Sequence, residues 1–246
     1  MKNRALSATP ILECERKLYE MAVAEGHFTS VDNIASYTDS LFKWVNFADL
    51  TVLDIGAGRG FFSLAAACRG ARTVISLEPE ADGSTTGVSH VFERFRERLK
   101  LDNVVLQPCS LSEFEPGNQR FDVVLLHHSI NHLNEDACMQ LRSNPQAYAD
   151  YLAIFQKIHA LSNPNAHLIV SDCARLNLYP LLGLHNRYVP TIEWHKHQDP
   201  LTWSKLLRRC GFDDPVIRWD RFGRYPMNRF TAFFFTSLFC LTMKRI

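Results

Sequence analysis

Apolar and polar positions follow two spacings along this chain, and each spacing predicts one type of secondary structure. Short apolar runs rich in β-branched residues are typical of strands buried in a parallel sheet. Such runs lie at Val52–Ile55, Thr73–Leu77, Val104–Gln107, Phe121–Leu126, His167–Cys173 and Val216–Trp219. Other segments have apolar residues every three or four positions, which predicts amphipathic helices. The alternation of the two predicts an α/β fold with a mostly parallel sheet.

The predicted helices fill the intervals between the strands and also precede the first strand. They lie at Phe61–Cys68, His90–Lys100, Asn134–Leu161 with a break near Ser143–Pro145, and Leu201–Cys210. Two more, Ile11–Ala24 and Ile34–Val45, form a helical N-terminal extension over residues 1–50. This extension either covers the sheet or contributes to a binding site beside it. We expect a turn at Ser162–Asn165 and a last strand within Phe230–Met243.

A glycine-rich turn directly follows the first strand. Gly56, Gly58 and Gly60 allow a tight turn, positive φ angles and a close approach of a ligand to the backbone. The helix Phe61–Cys68 begins at once, and its free N–H groups would face that ligand. The next strand ends at Glu78, where βαβ nucleotide-binding folds hold an acid that binds ribose hydroxyls. This order predicts a nucleoside pocket, and a tight turn without a ligand is the alternative.

The spacing of the glycines separates two classes of nucleoside ligand. Dinucleotide-binding folds carry G-x-G-x-x-G, whereas this chain reads G-x-G-x-G from Gly56 to Gly60. The segment Leu53–Gly60 resembles the first motif of the class I S-adenosylmethionine-dependent methyltransferases. The resemblance implies a Rossmann-like, doubly wound, seven-stranded sheet, mostly parallel with an antiparallel last strand. It also implies that residues 51–246 form the domain that binds the cofactor S-adenosylmethionine.

The resemblance further implies a set of cofactor-binding residues at the strand ends. They are Asp54, Gly56, Ala57, Gly58, Gly60, Phe61, Glu78, Pro79, Ser110, Leu111, His127 and His128. Ser110 stands where related enzymes carry an acid that recognises the adenine, so its hydroxyl or the backbone amides would take that role. Leu111 would cover the adenine face. His132 would pack under the helix that follows it.

Methyl transfer to a hydroxyl requires a base, and imidazoles and carboxylates near the sheet edge are the candidates. The catalytic candidates are His195, His128, Asp172 and His197, with His127 close to the same edge. Asp172 has an equal alternative role as a cap for the next segment. His127, His128 and His132 also form an H-H-x-x-x-H pattern, but it lacks the repetition of known zinc motifs, so we predict no metal site.

The segment 174–200 departs from the alternating pattern. It is rich in polar and aromatic residues and follows the fifth strand, where the family commonly builds an acceptor lid. If the segment is extended, Glu193, His195 and His197 share one side and Trp194 lies on the other. That arrangement would supply a base and an aromatic ring that stacks on a sugar, and an ordered surface loop is the alternative.

Composition narrows the classes of partner. The chain has 246 residues, a formal net charge of +1 and 46% hydrophobic residues, so no global field recruits nucleic acid. The seven cysteines are scattered and predict reduced core residues in a cytoplasmic protein. The N-terminus lacks the apolar centre of a signal peptide. The last apolar run is too short for a transmembrane helix, so we predict no membrane span.

The acceptor is predicted only by resemblance. The chain resembles, notably around TIEWHKHQDP and FTSLFCLTMK, methyltransferases of bacterial polysaccharide and secondary-metabolite assembly. That implies O-methylation of a sugar, a glycan or another small hydroxylated acceptor. The alternatives are methylation of a secondary metabolite at nitrogen or at a carboxyl group, a NAD-dependent oxidoreductase, and a scaffold that binds the cofactor without catalysis. No oligomeric state is predicted.

Overall fold

The computed structural model describes residues 12–79, 87–186, 190–219 and 229–246. The helices are α1 Glu13–Ala24, α2 Val31–Leu41, α3 Phe61–Cys68, α4 Val88–Leu99, α5 Glu135–Gln140, α6 Pro145–Leu161, α7 Leu178–Leu181, α8 Pro200–Arg209 and α9 Arg229–Phe235. The strands are β1 Thr51–Ile55, β2 Thr73–Leu77, β3 Val104–Gln107, β4 Phe121–His127, β5 Ser162–Cys173, β6 Phe212–Trp219 and β7 Leu238–Arg245. Two 3₁₀ turns lie at Ile130–Leu133 and Trp194–Lys196.

Within these residues the strands form one seven-stranded sheet in the order β3-β2-β1-β4-β5-β7-β6. The pairs from β3 to β5 are parallel, and β7 runs antiparallel to both β5 and β6. This is the Rossmann-like, doubly wound sheet with an antiparallel last strand, so the predicted fold class is confirmed. Chain order reverses between β1 and β4, and in such sheets a ligand crevice opens there, at the carboxyl ends of the strands.

Alternate residues of the central strands face two separate apolar layers. Leu53 and Val124 face one layer, which α5, α6 and α8 complete. Val52 and Val123 face the other, completed by helices α1 to α4. The largest fully buried side chains come from both layers and include Tyr19, Phe42, Phe92, Tyr151, Phe155 and Trp203. Each such side chain contributes about 1.5 to 3 kcal/mol when it leaves water, so both layers hold the strand ends in place.

Several boundary predictions were wrong. Helix α2 ends at Leu41 rather than Val45, and β6 begins at Phe212 rather than Val216. Ser162–Asn165 is not a turn, because β5 begins at Ser162 and pairs with Phe121 across an irregular register. The region Phe230–Met243 is not one strand, because its first half belongs to α9. There the Thr236 hydroxyl donates to the Ala232 carbonyl, which closes a helical turn before β7 begins. The predicted helix Ile11–Ala24 is present as α1, although residue 11 lies outside the described part of the chain.

One cysteine prediction also needs correction. Cys14 on α1 and Cys68 at the end of α3 form a disulfide, because the two helices pack together. The cysteines that are free in the structure are Cys109, Cys138, Cys173, Cys210 and Cys240. The cytoplasmic location stays a prediction. Free thiols are typical of a reducing compartment, whereas a disulfide is typical of an oxidising one. Among the described residues, no helix has the length and apolar content needed to cross a bilayer.

Candidate active site

A cleft with a volume of about 1290 Å³ opens at the carboxyl ends of the parallel strands. Its walls include ten of the residues that the sequence assigns to a cofactor, namely Gly56, Ala57, Gly58, Phe61, Glu78, Pro79, Ser110, Leu111, His127 and His128. Asp54 and Gly60 are not part of this wall, and they lie at the base of the glycine loop. The sheet edge therefore brings residues from four different strand ends to one cavity.

The three glycines of the loop serve different purposes. All have positive φ angles, of 71°, 53° and 68° for Gly56, Gly58 and Gly60. A Cβ atom on Gly56 would lie 2.5 Å from the Ser129 Cβ, and one on Gly60 would lie 2.3 Å from the Phe92 ring. A Cβ on Gly58 would meet nothing within 4 Å. Packing thus requires two of the glycines, whereas Gly58 borders open space that a ligand could fill.

Two buried carboxylates hold the base of this loop. Glu78 is 8% exposed, and its Oε2 accepts a hydrogen bond from the backbone N–H of Gly58 at 2.7 Å. Asp54 is 1% exposed and accepts a hydrogen bond from the Ser63 hydroxyl at 2.5 Å. Its Oδ1 has no partner among the described residues. Burial, with a smaller contribution from the charge of Glu78, raises the pKa of Asp54 to about 7.

The end of β3 supplies the opposite wall. Leu111 is buried to 6% exposure beside the cleft. The Ser110 hydroxyl and backbone N–H both donate to Glu113 Oε2, at 2.6 and 2.8 Å. Those hydrogen bonds lower the pKa of the Glu113 carboxyl. An acid, Glu113, therefore does lie close to Ser110. It is three residues further along the chain, and the sequence analysis did not predict it.

His127 ends β4 inside a ring of neutral side chains. Its Nε2 lies 2.9 Å from the Tyr37 hydroxyl, and the same hydroxyl lies 2.9 Å from the Ser171 Oγ. The Phe62 ring lies over it, with centroids 4.2 Å apart. Burial, and then the charge of neighbouring His128, keeps the pKa of His127 well below its usual range. His127 is thus a neutral imidazole, fixed by contacts from α2 and α3.

Asp172 lies at the sheet edge, at the end of β5, but it is 1% exposed and does not line the cleft. Its Oδ1 lies 3.2 Å from His197 Nδ1 and 3.8 Å from His128 Nδ1. Burial alone would raise the pKa of Asp172, but the two imidazoles more than offset this and lower it below its ordinary value. Of the three groups, only His128 lines the cleft.

The extended conformation expected around His195 is wrong. Trp194–Lys196 forms a 3₁₀ turn, which leaves His195 exposed and away from the cleft wall, while His197 is 6% exposed. The wall contains Glu193 and Lys196 instead. Lys196 Nζ pairs with Glu193 at 2.9 Å and with Glu135 of α5 at 3.3 Å. Residues 187–189 of the predicted lid lie outside the described residues.

His132 does not pack under the next helix, because its side chain is 53% exposed. Its Nδ1 lies 2.6 Å from Glu135 Oε1, at the mouth of the cleft. Within the described ranges, no group of three or more histidine, cysteine, aspartate or glutamate side chains could hold a metal ion.

The sequence interpretation allowed the N-terminal extension a place in the binding site but named none of the residues that line the cleft there. His27 and Phe28, between α1 and α2, line the cleft and pack against Phe61, His27 at a tilt and Phe28 edge-to-face, with ring centroids 5.2 Å apart in both pairs. Lys157 of α6 lines another side and donates to the Ser112 carbonyl at 3.0 Å. Gly26 marks the break between the first two helices, but no local signal indicates that this turn reaches the glycine loop. The N-terminal helices thus both cover the sheet and contribute to the cleft.

These groups fit a nucleoside cofactor. Gly58 leaves room against the backbone, Glu78 offers carboxylate oxygens at the end of β2, and the buried Asp54 Oδ1 is an acceptor without a partner among the described residues. An acid in the position of Glu78 suits ribose hydroxyls.

The fold also occurs in solved structures of low sequence identity. One is an S-adenosylmethionine-dependent methyltransferase from Mesorhizobium loti, which is 14% identical, with a TM-score of 0.58 over 87% of this chain and 98% of that one. Another is the N-methyltransferase NodS from Bradyrhizobium japonicum, which is 10% identical, with a TM-score of 0.55 over 87% and 97%. The [4+2]-cyclase SpnF is 13% identical, with a TM-score of 0.57 over 88% and 81%. Such likeness shows the fold alone.

Family membership rests on the sequence of the chain. No curated protein matches it significantly. Residues 27–214 match the methyltransferase-domain family, and this range contains the glycine loop, the His128–Asp172 pair and the described cleft wall from His27 to Lys196. The match does not favour a NAD-dependent oxidoreductase. The chain therefore belongs to the methyltransferase-domain family, as a class I methyltransferase whose cofactor is S-adenosylmethionine.

Proposed function

We propose that this protein methylates a hydroxyl group of a small acceptor, such as a sugar or a glycan unit. The observation that carries the proposal is the position of His128, on the cleft wall with Asp172 behind it. An imidazole that is open to a cleft and backed by a buried carboxylate suits a general base. A hydroxyl acceptor needs such a base, whereas an amine with a free lone pair does not.

The glycine loop and the end of β2 would hold the cofactor. Glu78 would bind the ribose hydroxyls, and Gly58 would let the backbone approach the ligand. Ser110 and Leu111, which line the cleft, would border the adenine. S-adenosylmethionine supplies a methyl carbon that is already electrophilic, so the task of the protein is to align the acceptor, exclude water and remove one proton.

His128 accepts the proton of the acceptor hydroxyl. Its Nδ1 is directed at Asp172 at 3.8 Å, which is longer than a hydrogen bond, and such contacts often tighten when substrates bind. Asp172 then holds the ring and stabilises the positive charge that the imidazole gains. His195 is not the base in this proposal, since it lies exposed and away from the cleft wall.

Two segments form the acceptor subsite. The N-terminal extension contributes His27 and Phe28, and the insertion 174–200 contributes Glu193 and Lys196. Aromatic rings pack against the apolar faces of sugars, while charged side chains bind hydroxyl groups. A wall with both types of group supports a compact acceptor with several hydroxyls.

The first test is calorimetric titration with S-adenosylhomocysteine, with NAD as the negative control. Methyl transfer from labelled cofactor to panels of sugars, other small hydroxyl compounds, amines and carboxylic acids then identifies the acceptor class. We expect transfer to hydroxyl compounds, reduced about 100-fold or more in His128→Asn. Asparagine suits this position because the φ angle of His128 is 53°.

His132→Asn is the matched control, because His132 also lines the cleft but is half exposed and, within the described part of the chain, forms its ion pair with Glu135. It should retain activity. Transfer only to amines or only to carboxylic acids would replace the proposed acceptor class. Binding of S-adenosylhomocysteine with no transfer to any acceptor would indicate a non-catalytic scaffold.

A further inference from the structure

The carboxylate of Asp172 lies between two imidazoles in different surroundings. His128 comes from the end of β4, lines the cleft and is 31% exposed at its side chain. His197 comes from the insertion 174–200, does not line the cleft and is 6% exposed. Only His128 can therefore meet an acceptor. His197 is closer to the carboxylate, at 3.2 Å rather than 3.8 Å.

The contacts of His197 Nδ1 determine where its proton lies. Asp172 Oδ1, at 3.2 Å, belongs to an ionised carboxylate, which can only accept hydrogen bonds. Nδ1 must therefore carry hydrogen. The Nδ2 of Asn131 lies 2.7 Å from the same Nδ1, and the Asn131 Oδ1 accepts from the Cys138 thiol at 3.6 Å. The oxygen and nitrogen of an amide exchange places by a half-turn, and a hydrogen on His197 Nδ1 requires Asn131 in that reverse orientation, with its oxygen towards the ring. Asn131 is 1% exposed, so water does not compete for this contact.

The other titratable groups around Asp172 are neutral near pH 7. They are His127 on β4, Cys138 on α5, Tyr151 on α6 and Cys173 on β5. Two charged side chains, Arg175 and Glu135, act on Cys138. Burial raises the pKa of Cys138 to about 12 and also raises the pKa of Tyr151 and of Cys173. The charge of Asp172 therefore acts mainly on the two imidazoles.

We propose that His197 is a positioning residue, which acts on His128 only through Asp172. Its Nδ1 lies 3.2 Å from Asp172 Oδ1, and the hydrogen on this nitrogen attracts the carboxylate, while the backbone N–H of Cys173 donates to the same oxygen at 2.7 Å. The contact with His197 limits how strongly Asp172 stabilises a proton on His128. Because His197 belongs to the insertion, the basicity of the cleft imidazole depends on the docking of the insertion against the sheet edge. This inference rests on the proposed function, in which His128 is the base.

The direction of the effect follows from this geometry. Loss of the His197 N–H leaves Asp172 Oδ1 with the hydrogen bond from the Cys173 backbone and without the attraction of the second imidazole, so the carboxylate interacts more strongly with His128. His128 then holds its proton to higher pH. Loss of the Asp172 charge has the opposite effect, and it also removes any influence of His197 on His128.

The test is an NMR titration of the histidine ring resonances, which requires neither acceptor nor turnover. The proteins are the wild type, His197→Gln, Asp172→Asn and the double variant, with His195→Gln as the control. His195 is two residues from His197 and exposed. We expect His197→Gln to raise the midpoint of the His128 titration by roughly half a pH unit or more. We expect no such shift when Asp172 is already Asn, and none in His195→Gln.

An unchanged His128 midpoint in His197→Gln would overturn the inference, as would the same shift with and without Asp172. If His197→Gln does not fold, nitrogen NMR spectra of the wild type still test the inference, because they report the tautomer of His197. A hydrogen on Nε2 and none on Nδ1 would overturn the inference. Binding of S-adenosylhomocysteine in each variant verifies the fold. The proposed function is tested separately, by methyl transfer to hydroxyl compounds. If no transfer occurs, the NMR titration can still be interpreted.

Discussion

The carboxylate of Glu78 accepts a hydrogen bond from the backbone N–H of Gly58, with Oε2 and N separated by 2.7 Å. This bond joins the end of β2 to the loop that follows β1, so the acid and the glycine turn of the predicted nucleoside pocket form one structure. A carboxylate has two oxygens and several acceptor sites, so Glu78 can hold the loop and still bind ribose hydroxyls.

Glu78→Gln should weaken the binding of S-adenosylhomocysteine by about tenfold or more. Hydrogen bonds to a charged group contribute roughly 1.5 to 3 kcal/mol, and the neutral amide replaces one acceptor oxygen with a donor. Calorimetric titration measures the change. Glu97→Gln on the exposed side of α4 should bind like the wild type. Equal affinities for all three proteins would remove Glu78 from the cofactor site.

Alanine at Gly58 and at Gly60 should have different effects. Gly60→Ala directs a methyl group into the Phe92 ring at a positive φ angle, so it should lower the free energy of unfolding by about 2 to 4 kcal/mol. Gly58→Ala carries only the backbone strain, about 1 to 2 kcal/mol, but fills space beside the ligand, so cofactor binding should be the property it loses.

Gly117→Ala is the matched control for Gly58→Ala. Gly117 has a φ angle of 60° with nothing within 4 Å of an added Cβ, and it does not line the cleft. It should therefore show the same loss of stability in urea unfolding without loss of S-adenosylhomocysteine binding. If both variants bind equally well, the space beside Gly58 is not part of the cofactor site.

Because of Asp54, the free energy of unfolding should decrease as pH rises from about 4 to 7. Burial raises the pKa of Asp54 from 3.8 to about 7, so across this window the folded protein keeps a proton that the unfolded chain has released. The free energy of unfolding therefore falls with pH, by up to about 4 kcal/mol at roughly 1.4 kcal/mol per pKa unit.

Asp54→Asn should remove most of this decrease, because the amide cannot ionise yet still offers an oxygen to the Ser63 hydroxyl. Urea unfolding at pH 4.5 and pH 8 measures the difference between the two proteins. The exposed Asp102→Asn should leave the wild-type pH dependence in place. An identical pH dependence in Asp54→Asn would show that another group is responsible.

The Cys14–Cys68 bond should stabilise the oxidised protein. It closes a loop with a sequence separation of 54, for which chain entropy gives about 4 kcal/mol as an upper value and 2 to 4 kcal/mol is typical. Reduction with dithiothreitol should therefore lower the urea midpoint of the wild type. Cys14→Ser should be equally unstable with and without reductant.

Thiol counting provides an independent measurement of the same bond. The denatured, unreduced protein should expose the five cysteines that are free in the structure, out of seven in the chain. Seven reactive thiols in protein purified without reductant would mean that the bond does not form.

The local pattern was sufficient for the central elements. Strands β2 and β3 and helix α3 have the predicted bounds, because each depends on a short run whose own side chains favour one conformation. The glycine turn was predictable for the same reason, since positive φ angles select glycine whatever surrounds them.

The insertion shows where local reasoning ends. His195 and His197 are two positions apart, and an extended chain would direct both to one side. Contacts with α5 and with the turn after it impose a different conformation, since the Gln198 amide donates to the Cys138 carbonyl of α5 and Arg142 of the turn pairs with Asp199. One histidine is therefore exposed and the other buried.

By itself, then, the sequence determined the order of strand, glycine turn, helix and acid, and with it the family and the cofactor. Only the tertiary structure decided which distant residues meet: Tyr37 with His127, Cys14 with Cys68, and Asp172 with His197. The physical reason is that local conformation follows from the sterics of neighbouring residues. Contacts between distant residues depend instead on how all the apolar faces pack together, and no single segment encodes that.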